Sequence, residues 1–269
     1  PMAVPDSAGI LQAVRDATII APFNDAEAVT RLLDEHEGEV AGIIVEPFQR
    51  LIPPAPGFLQ HLRAETEKRG IVLIFDEVVT GFRLAYGGAQ ELYGVTPDLC
   101  TLGKVIGGGF ALAAIAGADD IMAHFDKERV GADGFTFQVG TLSGNPIAAI
   151  AGLKTMEILR RPGAYDRIRA NGRRMMQTAA DAFGRAGIAI QMLGDPVLFD
   201  IVVTQGQVRN YREWFAGDRA AEARIGAIMR DHGVLKPLGK VYVHLGLSDE
   251  DLDRVDSALH ATAEALAAA

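Results

Sequence analysis

The apolar positions of this chain fall into short runs that end on polar or charged residues, and their order sets the expected fold. Ala41 to Val45 is apolar, partly β-branched and stops at Glu46-Pro47, which predicts a buried strand presenting a carboxylate at its C-terminal end. Gly57 to Arg69 carries Phe58, Leu59 and Leu62 at helical spacing and is followed by Gly70, suited to a C-terminal cap. A second strand is predicted at Ile71 to Phe75, running into Asp76-Glu77. Strand, helix and strand at this spacing predict a right-handed crossover in a mainly parallel sheet. Asp98 to Leu102 reads as a third strand leading into Gly103-Lys104. A fourth is expected at Ala111 to Ala116, after the Gly107-Gly108-Gly109 turn. Asn145-Pro146 then reads as the cap and first-turn proline of a helix reaching about Arg160, with Pro162 just beyond it.

From about Arg161 the pattern changes. A long polar helix runs through Arg185, followed by an apolar strand at Val197 to Val203 and a helix near Arg219 to Asp231. A strand at Val241 to Leu245 and an amphipathic, Ala-rich helix from Ser248 complete the pattern. Helices among a few antiparallel strands predict a smaller α+β C-terminal subdomain over 161–269, after an α/β large domain over 1–160.

Composition narrows the partners. A formal net charge of -9 argues against nucleic acid or an anionic membrane surface as the main partner, while leaving room for a small anion in a local positive pocket. No apolar run approaches the roughly 18 to 20 residues of a membrane helix. The N-terminus lacks the basic-then-apolar order of a signal peptide, so a cytoplasmic setting is expected. Cys100 is the single cysteine, which excludes an intrachain disulfide, and the six histidines show no paired spacing with carboxylates that would suggest a metal site.

Three segments carry candidate chemistry: IVLIFDEVVTGFR at 71–83, TLGKVIGGG at 101–109 and GTLSGNP at 140–146. Each also has an ordinary structural explanation, as a strand-end cap or salt-bridge acid, a solvated loop lysine and a helix cap. A P-loop is excluded, because Val105 and Asp98 stand where Ser or Thr and a glycine are required around Gly103-Lys104. The consecutive glycines at 107–109 do not make a dinucleotide fingerprint, and Ser143 lacks the hydrolase elbow. What remains is a carboxylate at one strand end, a lysine at the next and a hydroxyl beside a helix start. Pyridoxal phosphate (PLP) requires that set: an amine for its aldehyde, a carboxylate to keep the pyridine nitrogen protonated, and donors for its phosphate.

In this order and spacing the three segments resemble the class III aminotransferases of PLP fold type I, near the glutamate-1-semialdehyde aminomutase branch. The likeness extends from Ala21-Pro22-Phe23-Asn24-Asp25 to the last helix. The resemblance implies that Lys104 carries PLP as a Schiff base and shuttles the substrate proton. Asp76 would pair with the pyridinium nitrogen, and Val78 would pack on one face of the ring. Thr141 would reach across a homodimer interface to the phosphate in the neighbouring subunit. Glu46 matches a family glutamate near the active site; contact with cofactor or substrate and a structural role both remain open, as does a plain core role for Val78.

The implied partners are a small-molecule amino donor and a keto-acid acceptor. The family's Ser-Gly-Thr-Glu-type phosphate cup and its second ring-stacking aromatic residue belong to an N-terminal part with no counterpart in these 269 residues. Upstream sequence is therefore expected, the alternative being an inactive fragment acting only in dimerisation. Aminomutases of this branch carry an acidic loop after the Gly-Val of the small subdomain. Here Gly233-Val234 leads through Leu235 to Lys240 without an acid, which favours amino transfer over 2,1-aminomutation. Lys236, Lys240 and Arg83 are candidates to hold a substrate carboxylate, or else solvated surface charges.

Overall fold

In the computed structural model, which describes residues 4–5, 7–237 and 239–268, three short parallel strands frame the first half of the chain. These are β1 (Gly42–Val45), β2 (Val72–Glu77) and β3 (Leu99–Leu102); β4 (Ala114–Gly117) closes the sheet antiparallel to β3, in the order β1-β2-β3-β4. The register sets Ile44 opposite Ile74 and Asp76 opposite Thr101. Leu73 and Phe75 of β2 are fully buried. They pack with Val29 and Leu33 of α1 (Ala26–Glu35) and with Phe58, Leu59 and Leu62 of α2 (Phe58–Arg69). Asp25 starts α1 by accepting the Ala28 N–H at 2.9 Å. Gly70 ends α2 at φ 67°, the left-handed geometry that lets its N–H close the last turn.

The predicted strand at Ala111 to Ala116 begins later, at Ala114. Leu102 pairs with Ala114, so residues before Ala114 would have to pair with the Gly103-Lys104 turn, where β3 has already ended.

The second half is built on β5 (Ile190–Asp195), β6 (Leu198–Val203) and β7 (Val241–Tyr242), all antiparallel. Four long helices accompany them: α3 (Pro146–Leu159), α4 (Ala164–Arg185), α5 (Arg219–Asp231) and α6 (Asp249–Ala267). Strand β5 had no clear alternation in the sequence. The predicted strand at Val241 to Leu245 is shorter than expected: Val243 adds one bond to the Val197 carbonyl at 3.2 Å, and the chain then turns, with Leu247 N–H returning to the His244 carbonyl. Ser248 and Asp251 form a reciprocal capping box that starts α6.

The larger apolar cluster joins Phe183, Phe199, Ile201, Ile225 and Leu259 to Phe48, Leu51, Ile52, Leu84 and Ala89 from the segments after β1 and β2. The exits of those two strands are therefore seated on the second half of the molecule. Two side chains of α4 fix the exit of β2 further, because the Tyr165 hydroxyl donates to the Phe82 carbonyl at 2.8 Å and Arg169 Nη2 donates to the Leu84 carbonyl at 2.7 Å.

Helix α4 approaches the β5–β6 turn so closely that a Cβ on Gly172 would lie 1.7 Å from the Pro196 carbonyl oxygen, whereas one on Gly184 would meet nothing within 4 Å. Gly172→Ala is expected to cost about 2 kcal/mol or more, as overpacking does. Gly184→Ala should gain up to about 1 kcal/mol from helix propensity. Denaturant unfolding of both variants checks the difference.

Candidate functional site

Strain gathers at the C-terminal edge of the parallel strands. Five described non-glycine residues have positive φ, and four of them follow β1, β2 or β3: Arg50 at 47°, Leu51 at 72°, Phe82 at 55° and Lys104 at 48°. Each such backbone costs about 1–2 kcal/mol and persists only where packing imposes it. Open α/β sheets bind ligands at this same edge.

The acid pair at the end of β2 is split by strand alternation. Glu77 points into the core and is 1% exposed. Its Oε2 accepts the Thr80 hydroxyl at 2.9 Å and the Ala89 N–H at 2.6 Å, and its Oε1 accepts from Gln90 Nε2 at 2.9 Å. Gly88 is left-handed and leaves no room for a Cβ, which would lie 2.4 Å from Oε2. Glu77 is thus a structural acid that pins the turn after β2.

Asp76 faces the other way and is half-buried. Its Oδ1 accepts the Val78 N–H at 3.0 Å and the Thr101 hydroxyl at 3.3 Å; Oδ2 has no hydrogen-bond partner among the described residues. Val78 and Thr101 line an open cavity of about 750 Å³ whose other walls include Leu112, Ile115, Gly140 and Ser143.

Lys104 opens one turn of 3-10 helix, Lys104–Gly107, two residues past the end of β3. Gly103 packs on Val78, whose methyl would lie 3.2 Å from a Cβ placed there. Helix α3 supports the turn from the other side: a Cβ on Gly152 would stand 2.2 Å from the Ile106 carbonyl oxygen, and one on Gly108 2.6 Å from that of Ala151. Lys104 itself is exposed and makes no hydrogen bond or ion pair among the described residues. Adjacent strand ends thus bring together Asp76, Val78 and Lys104.

Glu46 is half-buried after β1, and its charge reaches Lys240. Burial chiefly lowers the proton affinity of Lys240; Glu46 opposes it, and the positive charges of Lys104, Arg50 and Arg83 add smaller lowering effects. Arg83 donates from Nε to the Val79 carbonyl at 3.1 Å and stacks over the Tyr242 ring at 4.6 Å. Lys236 is neither a surface charge nor a partner for substrate. Its Nζ lies 2.7 Å from Asp200 Oδ1, with the two side chains 4% and 1% exposed.

Thr141 is exposed and is not among the residues lining the cavity, although Gly140 and Leu142 on either side of it are. Thr101, the hydroxyl donor to Asp76, was not singled out from sequence, although a threonine in register with a strand-end acid was a usable signal.

A family model described as aminotransferase class-III matches residues 3–261. The chain is similar to an omega-transaminase from Sphaerobacter thermophilus at 34% identity and TM-score 0.92, covering 100% of this chain and 62% of that one. It is similar to a beta-phenylalanine aminotransferase from Variovorax paradoxus at 32% identity and TM-score 0.79, covering 90% and 56%. A glutamate-1-semialdehyde-aminomutase from Pseudomonas aeruginosa shares the fold, at 24% identity and TM-score 0.78, covering 95% and 59%. The chain thus spans less than two thirds of the length of these proteins.

The division of labour between the two acids is testable by stability alone. Glu77→Gln turns an acceptor into a donor amid three donors and should cost about 1–3 kcal/mol. Asp76→Asn should change stability by no more than about 0.5 kcal/mol. Thermal or denaturant unfolding of the two variants reads both.

Proposed function

The chain belongs to the class III aminotransferases, a PLP-dependent family of fold type I, and from that membership we propose that it moves an amino group between an amino acid or amine and a keto acid. One observation carries the reading: a carboxylate with one oxygen unpartnered among the described residues and a backbone-strained lysine leave adjacent strand ends, with Val78 against the Gly103 backbone between them.

These residues fit the cofactor. When bound, PLP supplies an aldehyde that takes up amines and a ring that withdraws electrons from the substrate carbon. Asp76, held through Oδ1 by Val78 and Thr101, would present Oδ2 to the pyridine nitrogen and keep its proton in place. Val78 would offer an apolar wall to the ring. Lys104 would hold the cofactor through its amine and, once the amino donor has displaced it, take the proton from the substrate carbon and return it. Its left-handed backbone sets the direction in which the side chain leaves the strand.

A homodimer belongs to the same reading, with Thr141 holding phosphate in the neighbouring subunit. In its support, Phe137, Val139, Leu142, Ile147, Ile150 and Leu153 are each at least 63% exposed, an apolar stretch that a second copy would cover. Glu46 would be a charge in the pocket wall, opposing the cations around it. The reading includes a large domain over 1–160, a small subdomain over 161–269 and a cytoplasmic setting. Amino transfer is preferred to aminomutation because the segment from Leu235 to Lys240 carries no acid, and because an omega-transaminase and a beta-phenylalanine aminotransferase are similar to the chain at above 30% identity.

With PLP added, the purified protein should develop a visible absorption band that moves when an amino donor is supplied and returns with a keto acid. Lys104→Ala should show only the spectrum of free PLP. Identical spectra for wild type and Lys104→Ala would refute the proposal, and isomerisation of a substrate without any keto-acid acceptor would favour the aminomutase.

A further inference from the structure

We propose that the second half of the molecule carries a separate ligand site, a cavity of about 290 Å³ beneath the 234–237 segment, which binds a small uncharged apolar molecule of the size of a substituted benzene. The site does not rest on the aminotransferase reading, because it shares no lining residue with the cavity beside Asp76.

The floor of this cavity is the core of the C-terminal half. Met175 and Ala179 lie one turn apart on α4, Val255 and Leu259 one turn apart on α6, and Phe199 and Ile201 share one face of β6. Met229 of α5 completes it. Each of these seven side chains is at most 8% exposed, yet the space they border is far larger than the water-sized voids that close-packed interiors leave. A floor without polar side chains gives water no partners, and such cavities take apolar molecules instead. The mouth lies where the 234–237 segment meets Tyr242 and His244, with Leu235 81% exposed beside it.

Charge decides the class of ligand. Lys236 lines the cavity, but its ammonium is committed: Nζ lies 2.7 Å from Asp200 Oδ1 and donates to the Pro237 carbonyl at 3.3 Å. Asp200 falls between Phe199 and Ile201 in β6, so it stands on the opposite face of the strand and draws the ammonium that way. At the mouth, His244 Nδ1 accepts the Gly246 N–H at 3.2 Å. Apolar walls and a lysine already neutralised favour an uncharged ring over a carboxylate or a phosphate. The two methionines let the walls adjust to its outline. Tyr242 borders the cavity and carries the Arg83 guanidinium 4.6 Å above its ring, so an occupant would touch the residue on which Arg83 rests.

The seven methionines make the test site-specific. Met175 and Met229 line this cavity, Met122 lines the one beside Asp76, and Met156 lines a surface hollow against Tyr86 and Arg160. The purified protein, with PLP added, is labelled with carbon-13 at the methionine methyls and titrated with toluene, single Met→Leu variants assigning the signals. Toluene should shift Met175 and Met229 saturably and leave Met122 and Met156 in place, while benzoate should shift neither of the first pair. Ala179→Leu places a larger side chain in the floor and should weaken toluene binding about ten-fold or more, the equivalent of about 1.4 kcal/mol. Should that variant not fold, the wild-type titration decides alone. The proposal is overturned if Met175 and Met229 do not shift, if benzoate shifts them equally, or if a folded Ala179→Leu binds toluene as wild type does. A shift at Met122 instead would overturn it by placing toluene in the cavity beside Asp76. Shifts of Met175 and Met229 with protein concentration alone would also overturn it, since a second copy would then fill the space.

Discussion

The site depends on the two-residue period of a β-strand. Because successive side chains of β2 point to opposite faces, Asp76 and Glu77 are neighbours in sequence and serve opposite purposes in space. Glu77 is buried with every contact made to the turn that follows, tying Thr80, Ala89 and Gln90 to the end of the strand. That tie sets the path of Phe82 and Arg83. Asp76, on the other face, keeps one oxygen uncommitted beside the cavity wall. A shift of one residue in register would exchange the two roles and place an unsatisfied carboxylate in the core.

Around this point the molecule exchanges local comfort for position. Lys104 adopts a backbone that lysine disfavours, and the close contact of Gly152 with Ile106 and of Gly108 with Ala151 keeps it there. The cost is met by burial in the second apolar cluster, which takes Leu51, Ile52 and Leu84 from the strand exits and pairs them with β6, α4 and α6. The C-terminal half therefore acts as the support on which the loops after β1 and β2 rest, and it also delivers Lys240 to the same edge of the sheet.

Much of this was legible in the sequence, and the parts that were not share a cause. Strands β1 to β3 stood out as short continuous apolar runs bounded by polar residues, although β1, expected to be buried, lies at the edge of the sheet with Ile44 65% exposed. Helix α5 and the cap of α3 stood out through helical spacing and Asn145-Pro146. Strand β5 did not, because IQMLGD has no alternation, and β7 proved shorter because the chain turns away after Val243. Asp76, Val78 and Lys104 could be named because they lie in compact motifs at strand ends. The cluster of Glu46, Arg50, Arg83, Lys104 and Lys240 could not, since it is drawn from segments up to about two hundred residues apart with no local pattern. Lys236 and Lys240 look alike four residues apart in sequence. Only the fold shows that the first is buried against Asp200 while the second faces Glu46.

The central claim is that Lys104 bears the cofactor, and Lys240, whose proton affinity burial lowers, is an amine that could compete with it. Borohydride reduction of the PLP-loaded protein followed by peptide mass mapping decides between them. The account predicts one pyridoxyl group, on the peptide containing Lys104; a label on Lys240 instead, or spread over surface lysines, would contradict it.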